Sequence, residues 1–333
     1  MRIIAISLLL AFASIAPLHA DTKAPQVQTK PVQVFILAGQ SNMEGAGQIK
    51  ANVARNDGRG SLEYLVKNAD SAKRFAKLVE SDGQWRERDD VWISYFDRKG
   101  PLTVGYGART ETIGPELGFG WVMGDAIDQP VLLIKCAWGG KSLAVDFRPP
   151  SAGALPYSIG EKGDAAIADD PTLLGKYYRE MMSATKQSLA DMKQLVPGSD
   201  GSYEIKGFGW HQGWNDRIND KFNAEYESNM AHFIRDVRKE LGTPALPFVI
   251  AETGMNGPDE THPRALSLMK AQAAVAKRPE FEGNVAFVGT RNFWRPAEQS
   301  PSGQGYHWNS NAETYYLIGE AMAEAMKGLL EKK

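Results

Sequence analysis

Six apolar runs set far apart constrain the fold of this chain more than any other feature: residues 32–39, 91–96, 131–138, 205–210, 248–251 and 285–288. Short continuous apolar runs are the signature of strands buried on both faces. Between several of them lie stretches of helical period. Phe222, Tyr226, Met230, Phe233, Val237 and Leu241 form one apolar stripe, and Leu174, Tyr177, Met181, Leu189 and Met192 form another. Strands alternating with amphipathic helices predict a mainly parallel sheet covered on both faces, a three-layer α/β/α sandwich. At 333 residues and 43% hydrophobic content, the chain has enough apolar surface to bury such a core as one domain over 32–333.

Residues 1–20 fit a secretory signal. Arg2 is the charged start, 3–16 the apolar centre, and Leu18-His19-Ala20 a cleavage site. The segment is too short to span a membrane with proper flanks, which favours a cleaved signal over the alternative of an uncleaved anchor. The mature protein is therefore expected to be exported, periplasmic or secreted, with no membrane insertion, and to begin with a polar, proline-bearing leader over 21–31. Cys136 is the single cysteine, which rules out an intrachain disulfide and a cysteine-based metal site. A net charge of −2 with no basic stripe argues against nucleic acid as a partner. Two insertions, at about 44–90 and 141–171, are too long and irregular for simple connections, and they read as walls of a substrate pocket. Pro115 suits the first turn of a helix running towards Ile127, and Ser310-Asn311-Ala312-Glu313 fits a capping box opening the last helix.

Four polar clusters fall at or just after strand ends, or before that last helix. Ser41, in Gly39-Gln40-Ser41-Asn42-Met43, follows the first run, and Gly139-Gly140 follows the third. His211-Gln212-Gly213-Trp214-Asn215-Asp216 follows the fourth, and His307 precedes the C-terminal helix. In a parallel sheet all the strands end on one edge, so clusters spread over most of the chain converge there. Acyl transfer needs such a set. A serine hydroxyl becomes a competent nucleophile when an imidazole takes its proton, and the tetrahedral oxyanion needs donors fixed in advance. Ser41 would attack, His307 would be the base, and the Ser41 N–H, a glycine N–H and a side-chain amide would form the oxyanion hole. Met43 stands where the Gly-x-Ser-x-Gly elbow has its second glycine, so the serine belongs to a different lineage.

Gly-Gln-Ser-Asn-Met, Trp-Gly-Gly, Trp-His-Gln-Gly and the late His-Trp-Asn resemble the SGNH hydrolase superfamily, and within it the sialate O-acetylesterase and acetylxylan-esterase-like branch. The resemblance runs from about Val32 to the C-terminal helix. It implies a flavodoxin-like sandwich, serine-based removal of O-acetyl groups from carbohydrate, and no metal or other cofactor. It places Ser41 as nucleophile and first oxyanion donor, Gly139 or Gly140 as the second, and Gln212 or Asn215 as the amide donor, with a lean to Gln212.

The chain departs from the branch at the base. The aspartate that orients the histidine lies three residues before it, and here that position is Gln304. Asp216 is the first substitute considered, then Glu298; Glu313 is weaker because the capping box occupies it. A Ser–His dyad is the second way out, and a carbohydrate-binding relative with weakened or lost chemistry is the third. A different ester, on a lipid or a phenolic sugar, is also open. Trp138, Trp214, Trp294 and Trp308 cluster at strand ends or in the site motifs. Tryptophans there are usually packing residues, but sugar rings stack on flat aromatic faces, and one or two of Trp138, Trp214 and Trp308 are expected to line the pocket. His211 reads as packing beneath the site. Arg217 and Arg295 read as surface charges more readily than as clamps for an acidic sugar, and His232 and His262 carry no role.

Overall fold

In a computed structural model, which describes residues 30–332, nine strands and eleven α-helices build the sandwich. The strands are β1 (Val32–Gly39), β2 (Gly47–Gln48), β3 (Val91–Tyr95), β4 (Arg98–Pro101), β5 (Thr112–Ile113), β6 (Val131–Ala137), β7 (Tyr203–His211), β8 (Phe248–Ala251) and β9 (Val285–Val288). The main sheet has the order β4-β3-β6-β1-β7-β8-β9, and every pairing is parallel except β3 with β4. All six predicted runs are strands, and the first is the central one. Its alternating residues feed two cores. Phe35 and Leu37 face one layer, and Val34, Ile36 and Ala38 face the other.

The short helix α1 (Ser41–Glu44) follows β1 directly, and α2 (Leu62–Lys67) and α3 (Ala69–Phe75) occupy the first insertion. Next come α4 (Pro115–Ala126), α5 (Glu161–Asp169), α6 (Lys176–Ala190), α7 (Met192–Leu195), α8 (Trp214–Arg217), α9 (Asp220–Glu240), α10 (Pro263–Val275) and α11 (Ala312–Leu330). Helices α4 and α11 pack together over one face, with Phe119, Tyr315, Ile318 and Met322 inside. The predicted stripes on α6 and α9 cover the other face through Met181, Tyr226, Met230, Phe233 and Val237. Burying a side chain of this size stabilises the fold by roughly 1.5–3 kcal/mol, so each layer is strongly held.

Local readings fared unevenly. Pro115 opens α4 as expected. The cap of α11 is Asn311, whose side chain accepts from the Thr314 N–H at 3.2 Å, while Glu313 is ion-paired to Arg295 at 2.7 Å. The capping box with Ser310 is therefore not formed. Strand β4 was not foreseen: its Arg98-Lys99-Gly100-Pro101 suits an edge, where charge and proline discourage further pairing. A two-residue turn, Phe96-Asp97, joins β3 to β4, with Tyr95 opposite Arg98. The expected signal segment lies outside the described residues, as does most of the leader.

Candidate active site

The turn after β1 is the hub. Gly39 has φ +155°, and a Cβ there would meet the His211 carbonyl oxygen at 2.2 Å, so only glycine lets β1 run this close to the end of β7. The residues on either side of Ser41 then reach outward to the other blocks. Gln40 accepts from the Gly213 N–H at 3.1 Å and the Asn215 N–H at 3.4 Å, fixing the loop after β7. Asn42 donates to the Tyr306 carbonyl at 3.0 Å and accepts from the Tyr315 hydroxyl at 2.8 Å. The same hydroxyl lies 3.3 Å from the His307 carbonyl oxygen. Asn42 thus ties the turn bearing Ser41 to the backbone on both sides of the histidine.

The glycine turn closes in from β6. A Cβ on Gly139 would lie 3.8 Å from the Ser41 Cβ, whereas one on Gly140 would meet only the Asn215 amide nitrogen, at 4.0 Å. Neither the Gly139 N–H nor that of Ser41 donates to any described residue. Ser41 is half-buried and Gly139 exposed, so both N–H groups are placed to meet a ligand.

Gln212 is not free to do so. Its amide nitrogen donates to the Lys141 carbonyl at 2.9 Å and to Asp216 at 2.6 Å, which uses both of its hydrogens. The lean towards Gln212 as oxyanion donor is therefore corrected. The Asn215 amide donates to the Gly140 carbonyl and keeps its second hydrogen.

Asp216 is likewise not a partner of His307. Fully buried, its carboxylate accepts from the backbone N–H groups of Leu143 and Ala144 at 2.8 and 2.9 Å, as well as from Gln212. Burial pushes this carboxyl up to about 6, against the pull of those three donors. It anchors the start of the 141–171 insertion. Glu298 is exposed and bonded to nothing described, and Gln304 is exposed too. No described carboxylate bonds the His307 ring, and burial pulls its pKa below the ordinary imidazole value with no charge opposing it.

The loop that presents the histidine is unusual: Trp308, Asn309 and Ser310 are left-handed at φ +51°, +54° and +57°. This reversal turns Trp308 inward. It is wholly buried, 6.1 Å from Trp294, and cannot line a pocket. Trp138 and Trp214 are half-buried at the sheet edge, as a lining role requires. The Arg217 guanidinium lies 4.0 Å over Trp214 and 3.6 Å from Glu260. His211 is buried, and its Nε2 has no partner among the described residues, as suits a packing residue.

Two groups escaped the sequence reading. The Glu44 carboxyl, raised by burial, would lie 3.1 Å from a Gly139 Cβ. Beneath it the buried Lys135 ammonium donates at 2.7 Å to the carbonyls of Glu44 and Tyr106 and to Glu116. Lys135 therefore holds the end of α1 from inside the sheet. A lysine inside an apolar strand run was the available signal. Among the described residues no group of histidine, cysteine and carboxylate side chains could hold a metal ion, and no helix is long and apolar enough to cross a membrane.

A serine at the end of the central strand, ringed by a glycine turn, an amide loop and a histidine loop, is the layout of a carboxylic ester hydrolase. A family model described as carbohydrate esterase, sialic acid-specific acetylesterase, matches residues 31–328, and the chain belongs to that family. A probable carbohydrate esterase of Arabidopsis thaliana is 23% identical over 231 residues, covering 68% of this chain and 71% of that one. The fold is shared with solved structures. An Arabidopsis thaliana protein has a TM-score of 0.56 at 17% identity, covering 90% of this chain and 98% of its own. NanS has a TM-score of 0.54 at 15% identity, covering 91% and 98%. A carbohydrate acetylesterase from Xanthomonas citri has 0.52 at 15%, covering 90% of this chain and 57% of that one.

Proposed function

We propose that the protein is an exported deacetylase that removes O-acetyl groups from carbohydrate through an acetyl-enzyme on Ser41, with His307 as base in a Ser–His dyad. The Asn42 clamp carries this reading, because it joins the nucleophile turn to the histidine loop from a residue adjacent to Ser41. His307 takes the Ser41 proton as Oγ attacks the acetyl carbonyl. The oxyanion accepts from the N–H groups of Ser41 and Gly139 and from the free amide hydrogen of Asn215. Collapse expels the sugar oxygen, which His307 protonates. A water deprotonated by His307 then attacks the acetyl carbonyl, and the second tetrahedral intermediate releases acetate as His307 returns the proton to Ser41 Oγ. In the sequence, the Arg2 start and apolar centre of residues 1–20 support export.

The test is acetate release from acetylated xylan, acetylated sialic acid and a small chromogenic acetate. Ser41→Ala and His307→Ala should each lower turnover about 10³-fold or more. Wild type no faster than Ser41→Ala on all three substrates would refute the deacetylase. That no carboxylate among the described residues bonds the His307 ring favours one second reading, a carbohydrate-binding relative with little chemistry; saturable glycan binding without turnover would establish it.

A further inference from the structure

The first central position of the β3–β4 turn is held by Phe96 at φ +56°, while Asp97 beside it is not left-handed. Two-residue hairpin turns with only that position left-handed strongly favour glycine there, and a bulky residue in it is strained. The Phe96 ring packs between Tyr95 and Trp138, each 4.9 Å away, yet stays 38% exposed, so part of it is open to a ligand. Strain of this kind is retained where the side chain has work to do. The ring lies 4.9 Å from Trp138 at 41°, and Trp138 lies 5.3 Å from Tyr177. Trp138 leads directly into Gly139, beside Ser41. On the opposite side of Ser41, Trp214 lies 5.8 Å from Tyr306, which is 44% exposed and adjoins His307. The sheet order β3-β6-β1-β7 sets the two aromatic walls on either side of the serine.

We infer that Phe96 and Trp138 form a distal sugar-binding subsite, and that the substrate is an acetylated oligosaccharide chain rather than a single sugar. The inference rests on the carbohydrate esterase reading. A chain carrying its acetyl group at Ser41 spans both walls and lays the apolar face of a neighbouring ring on Phe96. A lone acetylated sugar reaches one wall.

The experiment compares kcat/KM for O-acetylated xylohexaose against O-acetylated xylose, and for acetylated sialic acid on an oligosaccharide against the free acetylated acid. The pair with the higher rates is scored as a ratio, so that any general loss of activity cancels. Wild type should prefer the longer substrate about tenfold, Phe96→Gly should abolish the preference, and Phe96→Trp should keep it. Glycine suits the turn but removes the packing on Tyr95 and Trp138, so urea denaturation first confirms that Phe96→Gly is folded, and the ratio is scored on the folded variant. A wild-type ratio near one, or a preference that survives Phe96→Gly, overturns the subsite while leaving the esterase intact. If wild type releases no acetate from any ester, the esterase reading fails instead, and titration of the unacetylated hexasaccharide decides the subsite. Binding lost in Phe96→Gly then supports it, and no binding by wild type overturns it.

Discussion

Removing the Asn42 side chain should damage catalysis more than folding. Asn42→Ala deletes the bond to the Tyr306 carbonyl and the one from the Tyr315 hydroxyl. Tyr306 is exposed enough for water to replace the first, and the buried Tyr315 hydroxyl keeps the His307 carbonyl at 3.3 Å. The stability cost is therefore about 1–3 kcal/mol, the loss of one buried and one wet hydrogen bond. The histidine loop, however, loses its tether to the turn bearing Ser41, and a shift of about 1 Å there costs about 10²-fold in rate. We expect kcat/KM on a chromogenic acetate to fall by that factor, while urea denaturation shows a folded protein. Tyr315→Phe should be less than additive with it, with a coupling of about 1 kcal/mol. The acid limb of the pH profile should also move. A base must be neutral to act, so the wild-type limb lies below the ordinary imidazole value of 6.5, because burial lowers His307. Loosening the loop wets the ring and moves the limb up towards 6.5. A folded Asn42→Ala protein within threefold of wild type, with an unmoved limb, would refute the clamp.

Two further predictions concern the buried charges. Burial lowers His211 to about 4 from 6.5, so the native state resists a proton that the unfolded chain accepts. Its contribution is present in full above pH 6.5 and is lost as pH falls through about 4, roughly 3 kcal/mol in all. Denaturant melts at pH 7.5 and 4 should show that loss, and in His211→Gln the drop should be smaller by a similar amount. Lys135→Met leaves Glu116 buried and unpaired and should cost about 3–5 kcal/mol, since both side chains are wholly buried. Adding Glu116→Gln should recover part of this in equilibrium unfolding; no recovery would mean that the anchoring of Glu44 and Tyr106, rather than the stranded charge, carries the cost.

The sheet was legible because its strands are buried on both faces, and burial on both faces writes a continuous apolar run such as 32–39. The convergence of Ser41, Gly139 and the 211–216 loop followed from that same topology. Side-chain direction did not. Trp308 sits in a motif that suggested a pocket, but three successive non-glycine residues in the left-handed region turn it inward, and no local propensity announces such a reversal. Gln212 and Asp216 have the right chemistry for their expected roles. What removes them is a demand made some 70 residues away in the chain, by the Lys141 carbonyl and the Leu143 and Ala144 amides. The N-terminal hydrogen-bonding needs of an insertion are invisible until the insertion is placed.

The missing aspartate reads differently with the site in view. In a serine protease triad that residue orients the imidazole and stabilises its charged form, and replacing it by asparagine costs about 10⁴ in turnover. On the proposed dyad, the histidine loop is held by its backbone instead: the Asn42 side chain donates to the Tyr306 carbonyl, the Tyr315 hydroxyl lies 3.3 Å from the His307 carbonyl, and the left-handed run over Trp308–Ser310 sets where the loop leaves. Burial keeps the ring neutral without help. Stabilisation of imidazolium is the one task with no described partner, so the penalty should fall on the charged transition state, in kcat, and leave ground-state binding intact. An aspartate restored at Gln304 should therefore raise kcat and lift the acid limb of the pH profile, because a neighbouring carboxylate favours the protonated ring. A raised limb with unchanged kcat would show that the charge reaches His307 without being needed, and the dyad would then be complete as it stands.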